Sequence, residues 1–148
     1  TGNDDHIVMD LLSEYHLGST KGEKTVKIRG GLLGHWAVWT RKAVEMLNEI
    51  HHLVDSKQPI PHRMLTLANQ VTDSNAAIFD TANNFRGCIP GIHEILHRQG
   101  LLSSVACLDP AEKLSPGQPE EIDRIARLYP HLNDDDFVRN HIDTWLKA

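Results

Sequence analysis

Residues 25–36 read TVKIRGGLLGHW, and this stretch decides the fold because it joins a strand pattern to a helix pattern. Polar and apolar side chains alternate over residues 25–29, which is typical of a strand with one buried face. Gly30 and Gly31 end the strand. Over residues 35–54, apolar side chains recur every three or four residues, which predicts a long helix. The sequence therefore predicts a strand, a glycine-rich turn and a long helix in succession.

Helices are predicted for most of the remaining chain. The same periodicity predicts a helix from near His6 to Leu17, one over residues 64–79 and a shorter one over residues 91–99. Two further helices are expected after Ser115, beyond a proline-rich loop. A single strand cannot form a sheet. The strand of residues 25–29 therefore indicates either part of a larger fold or a mostly helical domain in which one segment is assigned wrongly.

Composition and charge exclude several classes of function. A formal net charge of −5 and a pI near 6.0 provide no basic surface for nucleic acid or for an anionic membrane. No run approaches the roughly 20 apolar residues that cross a bilayer. Cys88 and Cys107 are too few for a disulfide framework, so we expect a reducing compartment, namely the cytoplasm. We expect neither a nucleic-acid partner nor a membrane partner.

Gly30 and Gly31 are candidate ligand-binding residues because they follow a strand and precede a helix. In α/β folds, ligands bind at the carboxyl ends of strands, where glycine lets the backbone approach them closely. A tight turn that needs a positive φ would explain the same two glycines without a ligand. The residues alone leave both interpretations open.

Three stretches of the chain are similar to a known family. They are residues 1–5, TGNDD, residues 28–36, IRGGLLGHW, and residues 78–93, IFDTANNFRGCIPGIH. In their order and spacing they resemble the dihydrodipicolinate synthase and N-acetylneuraminate lyase family. The resemblance implies an α/β fold, the C-terminal portion of a TIM (β/α)8 barrel with its last strand or two, predominantly helical within this chain. Residues 1–60 would form the last β/α units of the barrel, and residues 61–148 the C-terminal helical extension.

The same resemblance implies a Schiff-base (class I) lyase or aldolase that acts on a pyruvate-type 2-oxo acid without a cofactor. The reactive lysine of the family lies on the sixth strand, upstream of this chain, so no catalytic residue is expected here. The substrate would be a small 2-oxo acid or a hydroxylated compound, and the full-length protein would be a homo-oligomer. The family's substrate-binding positions fall on Gly2, Asp4, Asp5, Ile28, Gly30 and Gly31.

Two details refine the expected chemistry. The family often has serine or threonine near the position of Gly30, and their absence here favours another 2-oxo acid reaction over dihydrodipicolinate synthesis. Lys27 is the only lysine on the predicted strand, and a Schiff-base lysine needs an amine kept partly neutral by desolvation. Because the resemblance places the reactive lysine upstream, we expect Lys27 to be structural.

Residues 93–97, HEILH, offer an alternative function. Two histidines one helical turn apart share a zinc ion in metalloproteases, and the glutamate between them activates water. The third ligand of the extended motif would fall on Ser103, which is not a usual zinc ligand. We therefore expect no metal at this motif and expect its helix to pack through apolar side chains. A zinc-dependent hydrolase using His93, Glu94 and His97 remains an alternative, as does a non-enzymatic helical interaction module.

Overall fold

The structure, a computed structural model, describes residues 6–31 and 34–147. In these residues the chain forms six α-helices, two short 3-10 helices and one two-stranded antiparallel sheet. The expected helix-rich, mixed α/β content is confirmed. Within the same residues, no helix is long and apolar enough to cross a membrane. The elements are α1 (Ile7–Leu12), β1 (Glu14–Ser19), β2 (Gly22–Lys27), a 3-10 helix (His35–Ala37), α2 (Thr40–Ser56), α3 (Arg63–Phe79), a second 3-10 helix (Thr81–Asn83), α4 (Cys88–Arg98), α5 (Gln118–Leu128) and α6 (Asp135–Trp145).

The hairpin of β1 and β2 corrects two sequence predictions. The first helix ends at Leu12, and the residues predicted to continue it form β1 instead. β1 pairs with β2 so that Tyr15 lies opposite Val26, a pairing of aromatic and β-branched side chains that favours strands. The connecting turn closes at Gly22, whose φ of +123° suits glycine. Residues 25–27 of the predicted strand belong to β2, whereas Ile28 and Arg29 lie beyond its end, and the prediction of a lone strand was wrong.

The longer helices lie where the apolar periodicity predicts them. α3 occupies the predicted 64–79 segment with one residue added at its start, and α4 overlaps the predicted 91–99 helix. α5 and α6 follow Ser115, as expected. α2 begins later than predicted because a 3-10 turn comes first and Trp39 then adopts a left-handed conformation, with φ of +53°.

The buried core is built around α3. Met64, Val71 and Ile78 succeed one another at seven-residue intervals on one face of α3, and none is more than 1% exposed. α1, α4 and α5 all pack against this helix. Ile7 of α1 and Ile50 of α2 belong to the same buried cluster. One core therefore extends across position 60, where the boundary between barrel and extension is predicted.

A buried polar network joins α3 to α5 through the turn between α3 and α4. The Asp80 carboxylate accepts hydrogen bonds from the backbone N–H of Gly87 and from the hydroxyl of Ser115. The side-chain amide of Gln118 donates to the carbonyl oxygens of Ile78, at 3.2 Å, and of Gly87, at 2.9 Å. Because each of these polar groups is buried and partnered, the network fixes the position of α5 against α3.

Candidate ligand-binding site

A surface cavity of about 250 Å³ lies where the glycine-rich segment meets α1 and α2. Gly31 and Trp36 contribute the wall that comes from the glycine-rich segment. The remaining wall residues lie on one face of α1 and one face of α2, so the cavity is formed where these two helices pack together. These residues are Ile7 and Leu11 of α1, with Thr40, Ala43, Val44, Met46 and Leu47 of α2.

Two contacts hold the glycine-rich segment against α2. The Arg29 guanidinium donates to the Asp55 carboxylate at 2.9 and 3.2 Å, although both side chains are more than half exposed. This hydrogen-bonded pairing keeps the pKa of Asp55 below its usual value. The imidazole Nε2 of His51 lies 2.8 Å from the carbonyl oxygen of Arg29. The end of α2 thus anchors the chain immediately before Gly30.

The wall of the cavity is almost entirely apolar. Its one side-chain hydroxyl, that of Thr40, donates to the carbonyl oxygen of Trp36 at 2.7 Å and so ties α2 to the preceding turn. Among the residues that the structure describes, no ionisable side chain forms part of this wall. The cavity can therefore shield an apolar part of a ligand from water, whereas an acid, a base or a nucleophile would have to come from elsewhere.

A buried histidine, His35, contacts Trp36 of the cavity wall. His35 is 2% exposed, its backbone N–H donates to Asn75 Oδ1 at 3.0 Å, and its Nδ1 lies 2.7 Å from the same oxygen. The backbone N–H identifies this atom as the amide oxygen, which can only accept, so the hydrogen bond with the ring requires the proton to be on Nδ1. Burial lowers the pKa of His35 to about 4, so the ring is neutral at pH 7. Its ring contacts Trp36 at a centroid distance of 4.7 Å and positions that indole.

Of the predicted substrate-binding residues that the structure describes, one lines this cavity. Gly31 is in its wall, while Gly30 is partly buried beside it in sequence and Ile28 packs against the core. Gly2, Asp4 and Asp5 lie outside the described residues. The convergence of Gly2, Asp4, Asp5, Ile28 and Gly30 on one cleft therefore stays a prediction.

Lys27 has a structural partner. Its Nζ lies 2.6 Å from the Glu14 carboxylate, directly across the hairpin, and the lysine side chain is one third exposed. The hydrogen bond from Lys27 is the main reason that the pKa of Glu14 falls below its usual value. This pairing agrees with the structural role expected for Lys27.

The HEILH motif lies on α4, and its polar groups are engaged within the chain. His93 Nδ1 lies 3.1 Å from the Ala106 carbonyl oxygen, and His97 Nδ1 lies 3.0 Å from that of Leu102. Glu94 forms an ion pair with the next turn of the helix. Within residues 6–31 and 34–147, no group of three or more His, Cys, Asp or Glu side chains could hold a metal ion.

The helix that carries HEILH packs as expected. Ile95 is 3% exposed, and Ile92 and Leu96 pack against the core, so its predicted apolar face is confirmed. Cys107 Sγ lies 3.6 Å from His93 Nδ1, a pairing that could resemble a nucleophile with its base. However, desolvation together with nearby carboxylates raises the pKa of this thiol, so the site does not favour a thiolate.

Sequence reasoning missed the role of Asn75. Its side-chain oxygen accepts hydrogen bonds from His35, which in turn contacts Trp36 of the cavity wall. Asn75 stands on the apolar face of α3, in line with Val71 and Ile78. An amide on such a face needs a buried hydrogen-bond partner, and that requirement was the available signal. The partner, His35, is 40 residues away in sequence, and local patterns cannot identify it.

Comparisons with protein-family models, with curated proteins and with solved structures find no match for this chain.

Proposed function

We propose that this chain is the C-terminal part of a Schiff-base lyase or aldolase that acts on a pyruvate-type 2-oxo acid. The observation that carries the proposal is the position of Gly31, which follows a strand, precedes a helix and lines a cavity. The sequence resemblance places substrate-binding residues at this point of the family's barrel. The reactive lysine would be supplied by polypeptide that precedes Thr1. The full-length protein would then be a homo-oligomer that needs no cofactor.

The chemistry divides between the two parts of such an enzyme. An upstream lysine amine would attack the ketone carbon of the 2-oxo acid, and loss of water would give an imine. The cavity walls described here would cover the carbon chain of the substrate and exclude water from the imine. Gly31 has no side chain, so the backbone can approach the substrate closely. Lys27, paired with Glu14 on the hairpin, takes no part in this chemistry.

Borohydride trapping tests the proposal. The protein, produced with the coding sequence that precedes Thr1, would be incubated with pyruvate and sodium borohydride and then mapped by peptide mass spectrometry. We expect one modified lysine upstream of Thr1, and we expect the Lys27→Arg variant to be trapped equally well. Absence of any trapped lysine would refute the aldolase function. Modification of Lys27 itself would refute the placement of the reactive amine.

A second variant tests the cavity separately from the lysine. Gly31→Leu introduces a side chain into the wall, so we expect a higher KM for pyruvate with little change in overall stability. Gly18→Ala is the matched control, because a methyl group at Gly18 meets no atom within 4 Å. Unchanged KM in Gly31→Leu would show that the substrate binds elsewhere, even if a lysine is trapped.

A further inference from the structure

The outer edge of β2 has no partner strand among residues 6–31 and 34–147. In the same part of the chain, the backbone of β2 forms hydrogen bonds with β1 alone. Its side chains are exposed, apart from Val26, which is partly buried. A two-stranded ribbon is marginally stable in water, and a further strand adds backbone hydrogen bonds along the open edge. The outer edge of β2 is therefore a surface on which another strand can pair.

The charged side chains of β2 are arranged so that the strand complements itself. Glu23 and Lys27 lie on the same face of the ribbon as Thr25, which is midway between them. When two copies of β2 run antiparallel with their Thr25 residues opposite each other, Glu23 of one copy lies directly opposite Lys27 of the second copy. Two-fold symmetry repeats this contact, so the pairing contains two opposite-charge pairs and one threonine pair. Cross-strand pairs of both kinds stabilise antiparallel strands.

Both charged groups are available for these pairs. Glu23 is exposed, and within the described part of the chain its carboxylate forms neither a hydrogen bond nor an ion pair. Lys27 Nζ lies 2.6 Å from the Glu14 carboxylate, but the lysine side chain is one third exposed and an ammonium group has three donors. Glu14 belongs to β1, on the side of β2 away from the open edge. Lys27 can therefore bridge Glu14 of its own chain and Glu23 of the second copy.

Other registers of the same pairing lose this complementarity. If the two-fold axis passes through Lys24 instead of Thr25, the two Lys24 ammonium groups lie opposite each other. If it passes through Glu23, two carboxylates lie opposite each other. An axis at Val26 places Lys27 opposite Thr25, so the opposite charges of β2 no longer face each other. Because like charges directly opposite destabilise a strand pair, the charges select the register centred on Thr25.

The outer edge of β1 does not complement itself in this way. β1 contains one carboxylate, that of Glu14, and neither lysine nor arginine. It also contains Gly18, and glycine in a strand weakens its pairing. A contact through β2 leaves the two β1 strands on the outside of the joined sheet. The assembly therefore closes at two copies.

We propose that two copies of this chain associate through β2 and form a four-stranded antiparallel sheet in the order β1–β2–β2–β1, centred on Thr25. The shared edge is six residues long, so the association is weak and depends on concentration. None of the residues that line the Gly31 cavity belongs to β1 or β2. The test of this interface is therefore independent of the lyase or aldolase chemistry.

Sedimentation equilibrium over a range of protein concentrations tests the proposal. The 148-residue chain should follow a monomer–dimer equilibrium without larger species. Glu23→Lys replaces two opposite-charge pairs by two like-charge pairs, so it should raise the Kd of the dimer at least about tenfold. Glu112→Lys makes the same charge change at an exposed loop residue and is the matched control, which should leave Kd unchanged. Leu17→Lys adds a charge to β1 and should also leave Kd unchanged.

Mixing two variants tests the register. Lys27→Glu alone should raise Kd in the same way as Glu23→Lys. In an equimolar mixture of these two variants, each lysine at positions 23 and 27 of one chain faces a glutamate of the other chain. Dimers should therefore form again, and native mass spectrometry should show that each contains one chain of each variant.

Three outcomes would overturn the proposal. A monomer at every concentration would show that the edge of β2 binds no second copy. An unchanged Kd in Glu23→Lys would place the contact elsewhere on the molecule. A mixture that stays monomeric, while circular dichroism shows that both variants are folded, would refute the register centred on Thr25. The first two outcomes decide the matter even if Lys27→Glu, which sets two carboxylates against each other across the hairpin, fails to fold.

Discussion

The buried imidazole of His35 should make the stability of this protein depend on pH between about 7 and 4. Burial lowers its pKa from 6.5 to about 4 in the folded state, whereas the unfolded chain keeps the ordinary value. Because the folded pKa is the lower one, the unfolded state binds the proton first as the pH falls. The contribution to stability is therefore complete above pH 6.5 and is lost progressively down to about pH 4.

The size of the effect follows from the same two pKa values. The full loss corresponds to about 3 kcal/mol, since one pKa unit is worth about 1.4 kcal/mol. By about pH 5 the expected loss is about 2 kcal/mol. Carboxylates such as Asp73, whose pKa is lowered chiefly by its hydrogen bond from Arg124, lose their contributions only at more acidic pH. The change in the free energy of unfolding between about pH 7 and 5 therefore comes mainly from His35.

Urea denaturation followed by circular dichroism measures this loss directly at several pH values. In His35→Asn, the side-chain N–H can still donate to Asn75 but the group no longer titrates, so the free energy of unfolding should vary less with pH. It should also be lower at pH 7, because asparagine lacks the ring that contacts Trp36 and Trp39. His52→Asn is the matched control, because His52 is exposed on α2. A pH slope in His35→Asn equal to that of the unaltered protein would refute the assignment. An NMR titration of the His35 ring gives an independent check.

Four further predictions concern packing, ion pairs, metal and association. Gly91→Ala should lower the free energy of unfolding by at least about 2 kcal/mol, since its Cβ would lie 2.0 Å from a backbone carbonyl oxygen of α3, while Gly18→Ala should cost much less. Arg124→Lys should cost about 1 kcal/mol in urea denaturation, because lysine cannot make the two parallel bonds to its partly exposed carboxylate partner on α3. In the exposed control Arg139→Lys, we expect no measurable change. Elemental analysis should find no stoichiometric zinc, and a zinc content that falls in His93→Ala would contradict this expectation. Light scattering of the isolated 148-residue chain should show self-association, because each hairpin strand has an unpaired outer edge in the two-stranded sheet; a monodisperse, cooperatively unfolding monomer would contradict it.

The sequence predicted the helices well because helical periodicity is a local signal. The apolar face of α3, with Met64, Val71 and Ile78, can be recognised from the sequence of that segment alone. β1 was assigned to a helix because a short strand is defined by its partner, and no local pattern shows that Tyr15 will meet Val26. Strand pairing is a longer-range property than periodicity.

The candidate site was predicted only in part, for a similar reason. Gly31 could be selected because glycine between a strand and a helix has a conformational meaning that is independent of the rest of the fold. The opposing wall of α1 and α2, and the pairing of His35 with Asn75, depend on contacts between distant segments. The left-handed conformation of Trp39 could not be predicted, since a bulky indole is among the side chains that least favour it.

The turn of the hairpin is a region where the sequence can be changed or extended without disturbing the core. Apart from Tyr15 and Val26, which are partly buried, its side chains face solvent on both sides of the ribbon. The turn between Ser19 and Gly22 thus lies away from the apolar cluster that stabilises the helices. Extra residues, a fluorescent label or an affinity tag placed in that turn would displace no packed side chain. The same turn can serve as an attachment point in experiments on the Gly31 cavity.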